Sequence, residues 1–163
     1  MAVPKLARRE PFYRLRLNEL ANAGATAAEA AQNRRALELG RPVQVVQMES
    51  VDLVVLGSVV VNHQGVRIGK GAGYSDIELA LLTEGGLIQE HTRIVTTVHE
   101  LQLVDEELPE TVHDYRVDLV VTPEQVVEGR QSDERAQPKG LVWAHLSSEK
   151  IGAVPAVAAR NRK

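Results

Sequence analysis

Hydrophobic and polar positions along the chain fall into two alternating rhythms. Short apolar runs predict strands: Val43–Met48 (VQVVQM), Val51–Gly57 (VDLVVLG), Ser58–Asn62 (SVVVN), Arg93–His99, Arg116–Val121 and Leu141–Leu146 (LVWAHL). The nearly unbroken apolar character of Val51–Gly57 predicts burial on both faces, and Pro123 stops the Arg116–Val121 strand. Between these runs lie helical segments. Thr26–Leu39 is rich in Ala, Leu, Glu and Arg, with Thr26 as a cap answered by Glu29 and Gly40 as its stop. Asp76–Thr83 places Ile77, Ala80, Leu81 and Glu84 at helical spacing, with Asp76 as cap or first-turn residue and Gly85 and Gly86 as terminators. A short polar helix is expected at Glu124–Glu128, a surface loop at Gly129–Gly140, and a loose tail after Lys150.

Strands alternating with helices predict an α/β fold: a layered, largely parallel sheet with flanking helices. VDLVVLG and VDLVVTP echo each other 66 residues apart. One echo does not make a repeat protein, and two core strands under the same burial demand account for it. The length of 163 residues sets an expectation of one domain.

Composition narrows the function classes. With no cysteine, disulfides, thiolate metal sites and cysteine nucleophiles are excluded. A net charge of −3 gives no general reason to expect nucleic-acid or anionic-membrane binding. No apolar stretch reaches membrane-spanning length, and the first residues lack the pattern of a secretory leader, so a soluble, cytoplasmic protein is expected. Aromatic residues are limited to Phe12, Trp143 and three tyrosines, which leaves the core to Val, Leu, Ile and Ala.

The densest chemistry lies in GVRIGKGAGYSD, where Gly65, Gly69, Gly71 and Gly73 run directly into a helical pattern. Glycines permit left-handed backbone and close ligand approach, and successive amides with a helix N-terminus can hold an anion. Arg67 and Lys70 can add charge-assisted contacts. The order is neither the dinucleotide fingerprint nor a Walker A box. A phosphate cradle and a mobile strand-to-helix connector therefore both fit the residues. Asp76 can stand beside Mg²⁺ or cap the helix, and Tyr74 can stack on a planar ligand or pack its ring.

Two histidine–acid pairs, His99–Glu100 and His113–Asp114, flank predicted strands. They can meet as acid–base groups or metal ligands at one sheet edge, or serve as polar loop ends. His63, His91 and His145 read as surface or edge residues. Near the N-terminus, Lys5, Arg8, Arg9, Arg14 and Arg16 interleave with Phe12 and Tyr13. That pattern suits either nucleic-acid contact or a solvated basic strip.

VDLVVLGSVVVNHQGVRIGKGAGYSDIELALL followed by TTVHELQLVDEELPETVHDYRVDLVVTP resembles the 5-formyltetrahydrofolate cyclo-ligase (methenyltetrahydrofolate synthetase) family, and within it the methenyltetrahydrofolate-synthetase-domain-containing branch. The likeness spans residues 1–128 and is strongest over 48–123. It implies a cyclo-ligase-like domain over residues 1–150, incomplete at its N-terminus, with 151–163 as the tail. It also implies ATP and Mg²⁺ as cofactors and a folate derivative as substrate. In that family the formyl oxygen of 5-formyltetrahydrofolate is phosphorylated, and ring closure with loss of phosphate gives 5,10-methenyltetrahydrofolate. Phosphorylation makes a good leaving group while positive donors absorb the charge.

By motif, the resemblance assigns Arg67, Gly69, Lys70, Gly71, Gly73 and Tyr74 to the ATP-phosphate loop. Arg67, Lys70 and His99 become the implied catalytic groups, and Asp76 and Asp118 the implied metal-linked carboxylates. For Asp118 the competing reading is an anchor at the start of a strand. The family pattern ends Gly-Tyr-Tyr-Asp, where this chain has Gly73, Tyr74, Ser75 and Asp76. The start, MAVPKLARRE, resembles an internal segment of longer members, so the N-terminal helix whose Lys and Arg reach ATP is expected to be missing. The functional readings are thus an ATP-dependent cyclo-ligase, a non-catalytic nucleotide- or folate-binding paralogue, and an RNA-associated module. No membrane partner is expected, nucleic acid is disfavoured by charge, and self-association is left open.

Overall fold

Leu15, Leu20, Ala30 and Ala36 are buried together with Leu39 beside them, and around this small core the N-terminal segment folds. The computed structural model describes residues 1–4, 6, 7, 10–129 and 136–161. They form two compact units, Met1–Met48 with Leu146–Lys163, and Glu49–His145. Lys5, Arg8 and Arg9 of the basic strip, and residues 130–135 of the expected surface loop, lie outside the described residues.

In the first unit, β1 (Ala2–Pro4), β2 (Phe12–Arg14) and β3 (Arg41–Val43) make an antiparallel sheet in that order. Helices α1 (Leu17–Asn22), α2 (Ala27–Ala30) and α3 (Asn33–Leu39) connect β2 to β3. The expected capping box is present: the Thr26 hydroxyl accepts from the Glu29 amide at 3.2 Å, and Glu29 Oε2 accepts from the Thr26 amide at 2.8 Å. The expected single helix is broken, because Gln32 is extended (ψ 131°) and starts α3 afresh. In one continuous helix Ala30 and Ala36 would point roughly 120° apart. The break lets both enter one core.

Val43–Met48 is not a strand beyond Val43. Gln47 Oε1 accepts from the Gln44 amide at 2.8 Å and draws Val45–Gln47 into a 3₁₀ turn.

The second unit is built on β4 (Val51–Leu56), β5 (Val60–Asn62), β6 (Arg67–Ile68), α4 (Tyr74–Glu84), β7 (Ile88–Thr97), β8 (Leu103–Val104), β9 (Leu119–Val121) and β10 (Val126–Glu128). One sheet runs β10-β9-β7-β4, with β4–β7 and β7–β9 parallel and β9–β10 antiparallel. A second, β6-β5-β8, joins the antiparallel β5–β6 hairpin to a parallel β5–β8 pair. The fold is α/β with a largely parallel main sheet, as the rhythm of the sequence predicts.

Leu56, Ile94 and Val120 from the main sheet, Leu79 and Ala80 from α4, and Val61, Tyr115 and Val117 share one core. Helix α4 buries Ile77, Leu79, Ala80, Leu81 and Leu82, which takes in more than one face.

Three expectations for this unit are corrected. The β4 strand is an edge with one face open, since Leu53 and Val55 keep 55% and 59% of their surface exposed. Glu124–Glu128 is not helical. The Thr122 hydroxyl accepts from the Glu124 and Gln125 amides at 3.3 and 3.0 Å, tightening a turn that lays β10 antiparallel on β9. Leu141–Leu146 holds no strand: the His145 amide donates to the Val142 carbonyl, closing a 3₁₀ turn at Trp143–His145.

The C-terminal segment belongs to the first unit and is helical, in contrast to the expected loose tail. The Ser147 hydroxyl caps α5 (Ser148–Ala153) through the Lys150 amide at 3.1 Å, and Pro155 opens α6 (Pro155–Arg160). Val154 and Val157 are fully buried, which holds both helices down.

Candidate functional site

The glycine-rich loop is set by a rigid base. In the β5–β6 turn, Asn62 Oδ1 accepts from the Gln64 and Val66 amides at 3.1 and 3.0 Å, while its amide nitrogen donates to the Glu106 carbonyl at 3.2 Å. Gly65 has φ +77°, and a Cβ there would stand 2.2 Å from the Val117 carbonyl oxygen. Only glycine lets the turn press against the extended segment that leads into β9. Arg67 follows at once in β6.

The Arg67 guanidinium is almost wholly buried, with 4% of its side chain exposed, and its Nη2 lies 2.7 Å from Asp76 Oδ1 in the first turn of α4. The same oxygen accepts from the Tyr115 amide at 3.2 Å. One carboxylate therefore ties the two ends of the glycine-rich segment to the irregular segment that precedes β9. Arg67 Nε is buried and has no partner among the described residues. Its Nη1 lies 3.5 Å from where a Gly69 Cβ would stand, so the guanidinium backs the loop. A buried N–H without an acceptor costs free energy until a water or a ligand oxygen supplies one.

Between these anchors, Lys70, Gly71, Ala72 and Gly73 are exposed. Gly71 (φ +82°) and Gly73 (φ +65°) are left-handed and have open space where a side chain would be. Gly73 is the N-cap of α4, whose 11 residues give a full helix end. First-turn N–H groups have no acceptor within their own helix, and the helix dipole favours an anion there. Lys70 and Tyr74 are exposed at the lip of this loop, Tyr74 by 39%.

The other expected site residues, Asp118 and His99, take partners of their own among the described residues. Asp118 Oδ2 accepts from the Ile94 amide at 2.7 Å and the Asp118 amide donates to the Ile94 carbonyl at 2.7 Å, so this carboxylate stitches β7 to the start of β9. His99 caps the 3₁₀ turn Glu100–Gln102, its Nδ1 accepting from the Leu101 amide at 3.3 Å. It lines an open depression with Thr97, Val98, Gln102, Val121, Thr122 and Pro123. Thr97 and Val121 end β7 and β9, so the depression lies at the carboxyl edge of the parallel sheet, where open α/β folds bind ligands.

His113 pairs with Thr111, Asp114 and His145; its Nδ1 is 2.7 Å from His145 Nδ1, and the rings meet edge to face. The histidine–acid pairs thus close locally, His99 with Glu100 at 3.6 Å and His113 with Asp114 at 3.5 Å. His63 and His91 take exposed acids, Asp105 and Asp52.

Two contributors were not singled out from sequence. Tyr115, 2% exposed, sends its hydroxyl to Thr83 Oγ1 (3.1 Å) and the Pro138 carbonyl (3.0 Å) while its amide serves Asp76, so it spans α4 from first turn to last. Burial raises its hydroxyl pKa above the ordinary tyrosine value, and the Asp76 and Glu84 carboxylates push the same way. Gln102 Nε2 donates to the Ser58 and Val59 carbonyls, fixing the rim of the depression. The signal for Tyr115 was its place among so few aromatics; Gln102 carried none.

The residues present fit a phosphate-bearing ligand at the loop, on the strength of the orphaned Arg67 Nε, the open left-handed glycines and the exposed Lys70. Among the described residues, no group of three or more His, Asp or Glu side chains is placed to hold a metal by protein ligands alone. No described helix is long and apolar enough to cross a membrane.

Known proteins are similar to this chain in sequence. A family model described as the 5-formyltetrahydrofolate cyclo-ligase family matches residues 3–123. The methenyltetrahydrofolate synthase domain-containing protein of Bos taurus is 42% identical over 117 residues, 70% of this chain and 30% of the relative. The Homo sapiens protein of that name is 44% identical over 107 residues (64% and 27%), and that of Danio rerio 38% over 120 (72% and 31%). The matched region spans under a third of the length of these curated relatives. With the family model covering most of the chain, strands, glycine loop and VDLVVTP block included, this chain belongs to the 5-formyltetrahydrofolate cyclo-ligase family.

Proposed function

We propose that the Gly69–Gly73 loop binds the phosphates of ATP in an ATP-dependent conversion of 5-formyltetrahydrofolate to 5,10-methenyltetrahydrofolate or a closely related ligase reaction. The observation that carries this reading is the buried Arg67 guanidinium, with an unmatched Nε behind an open glycine loop that ends in the N-terminus of α4. Lys70 supplies a mobile positive charge for the outer phosphate oxygens. The loop amides and the first turn of α4 supply fixed donors that need no rearrangement as charge develops. Arg67 holds the base of the loop through Asp76 and offers its remaining N–H groups toward it.

Asp76 Oδ1 is engaged by Arg67 and Tyr115, which leaves Oδ2 to face a Mg²⁺ ion or its water. Bound Mg²⁺ would neutralise phosphate charge. Asp118 fits best as the strand anchor that its Ile94 contacts make it. The folate is assigned to the depression beside His99, and its carboxyl-edge position supports that assignment. His99, with 63% of its side chain exposed, is the imidazole that faces this depression.

A second reading is a non-catalytic nucleotide- or folate-binding module. It is favoured by Asp118, one of the two implied metal carboxylates, whose Oδ2 is engaged by the Ile94 amide. Two measurements separate the readings. Lys70→Ala should weaken ATP affinity by at least about tenfold, the loss of one charge-assisted contact, with an unchanged unfolding midpoint because Lys70 is exposed. Unchanged affinity removes the loop from the site. Methenyltetrahydrofolate absorbance should appear when 5-formyltetrahydrofolate, ATP and Mg²⁺ are mixed with the folded protein. Intact ATP binding without that absorbance leaves the second reading standing.

A further inference from the structure

β7 runs between β4 and β9, parallel to both, and the 3₁₀ turn that follows it reaches to either side. On the β4 side, Gln102 Nε2 donates to the Ser58 and Val59 carbonyls at 3.2 and 3.0 Å, in the stretch that leaves β4 for β5. The other end of the same side-chain amide, Oε1, accepts from the His99 amide at 2.9 Å. On the β9 side, Glu100 Oε1 accepts from the Glu124 amide at 3.2 Å, in the turn that leaves β9 for β10. A single turn thus yokes the carboxyl ends of three parallel strands.

The anchor beyond β4 is itself fixed. The wholly buried Thr96 hydroxyl donates to the Leu56 carbonyl at 2.9 Å, so the Ser58 hydroxyl is the donor in the 2.8 Å contact between Ser58 and Thr96. Gln102 therefore hangs from the packed part of the sheet, while Gln102 and His99 both line the depression. Its side chain holds backbone at each end, and a glutamate in its place would have no N–H to donate. His99 is set twice over, its amide by Gln102 and its ring Nδ1 by the Leu101 amide at 3.3 Å.

We propose that Gln102 is a positioning residue for the folate: by tying the His99 edge of the depression to the end of β4, it sets affinity for the folate and leaves affinity for ATP untouched. This rests on the placement of the folate beside His99 proposed above. The glycine loop hangs on other partners, Arg67, Asp76 and Tyr115.

Calorimetric titration of the full chain tests it. Gln102→Ala should weaken binding of 5-formyltetrahydrofolate by at least about tenfold, the worth of one or two hydrogen bonds, with ATP affinity unchanged. In the ligand-free protein the same variant should speed hydrogen exchange at the His99 amide, which loses its acceptor; a residue that only touches the ligand would not move that rate. Gln102→Glu keeps the acceptor for His99 but sets oxygen against the Ser58 and Val59 carbonyls. It should weaken the folate as much, and it serves as the second variant should Gln102→Ala fold poorly. Unchanged folate affinity in either folded variant overturns the proposal, as does weaker folate binding with His99 exchange unmoved in Gln102→Ala. Equal losses for folate and ATP with a lower urea midpoint overturn it too, because Gln102 would then serve stability alone. Wild type that binds ATP but no folate overturns the placement of the folate along with this role, whereas wild-type folate binding that ignores Gln102 overturns only the latter.

Discussion

Removing the Asp76 carboxylate should destabilise the loop strongly, and the size of the loss follows from burial. In Asp76→Ala, Arg67 loses its counter-charge while 96% of its side chain stays out of solvent, with Nε already unmatched. The Tyr115 amide loses its acceptor in the same step. Breaking one partner of a buried pair costs ~3–5 kcal/mol. Asp76 keeps 14% exposure, so water can partly replace it and about 3 kcal/mol is expected.

Asp76→Asn retains an oxygen at the Oδ1 position but no charge. It should cost only ~1–2 kcal/mol, the difference between charged and neutral hydrogen bonds. Urea unfolding followed at Trp143, the chain's single tryptophan and part of the Glu49–His145 unit, reads both values. Arg67→Met closes the cycle: with no buried cation left behind, Arg67→Met/Asp76→Ala should lose clearly less than the sum of the single changes. Additivity within ~0.5 kcal/mol, or an Asp76→Ala loss below ~1 kcal/mol, would show that the pair does not hold the loop.

Gly65→Ala should cost at least ~3 kcal/mol, combining left-handed strain with a clash that backbone cannot relieve; the clash is with the Val117 carbonyl, and near-native urea stability would refute the packing described. Tyr115→Phe should cost ~1 kcal/mol at neutral pH through the lost hydroxyl bonds. Because burial raises the Tyr115 pKa in the fold, its stabilising effect is complete below the ordinary tyrosine value near 10 and is lost as pH climbs toward the folded value. Wild type should therefore lose stability faster than Tyr115→Phe in melts above pH ~10, and parallel curves would count against that. Thr26→Ala should cost ~1 kcal/mol by deleting a helix cap, seen as lower far-ultraviolet helicity and an earlier unfolding transition of the first unit. An unchanged transition would mean that α2 is held by packing alone.

What could be read along the chain was whatever neighbouring residues settle among themselves. The Thr26–Glu29 capping box closes over one turn, the glycines of the loop need left-handed backbone at Gly71 and Gly73, and the apolar runs at Val51, Val60, Ile94 and Leu119 are strands in any α/β context. The order of those features also carried the family likeness. The C-terminal helices were legible too, in the Ser147 cap and in Pro155 at the first helical position, but the weak apolar pattern around them hid the signal.

Everything that depends on which segments meet was decided by the tertiary fold. Glu124–Glu128 has helix-compatible composition, yet the Thr122 turn brings Val126 opposite Val121 and ladder bonds outweigh local propensity. The Thr26–Leu39 helix breaks because one small core needs both Ala30 and Ala36. The same apolar run that reads as a buried strand in VDLVVLG leaves Leu53 and Val55 open, since burial depends on what lies on either side of a strand. At the loop, composition allowed Asp76 to be a cap or a metal neighbour. Folding added a third role, partner of Arg67 nine residues back and of Tyr115 39 residues on. Charges that far apart in sequence choose their partners only when the chain has paid the entropy of bringing them together, and that choice is what anchors the two ends of the glycine loop.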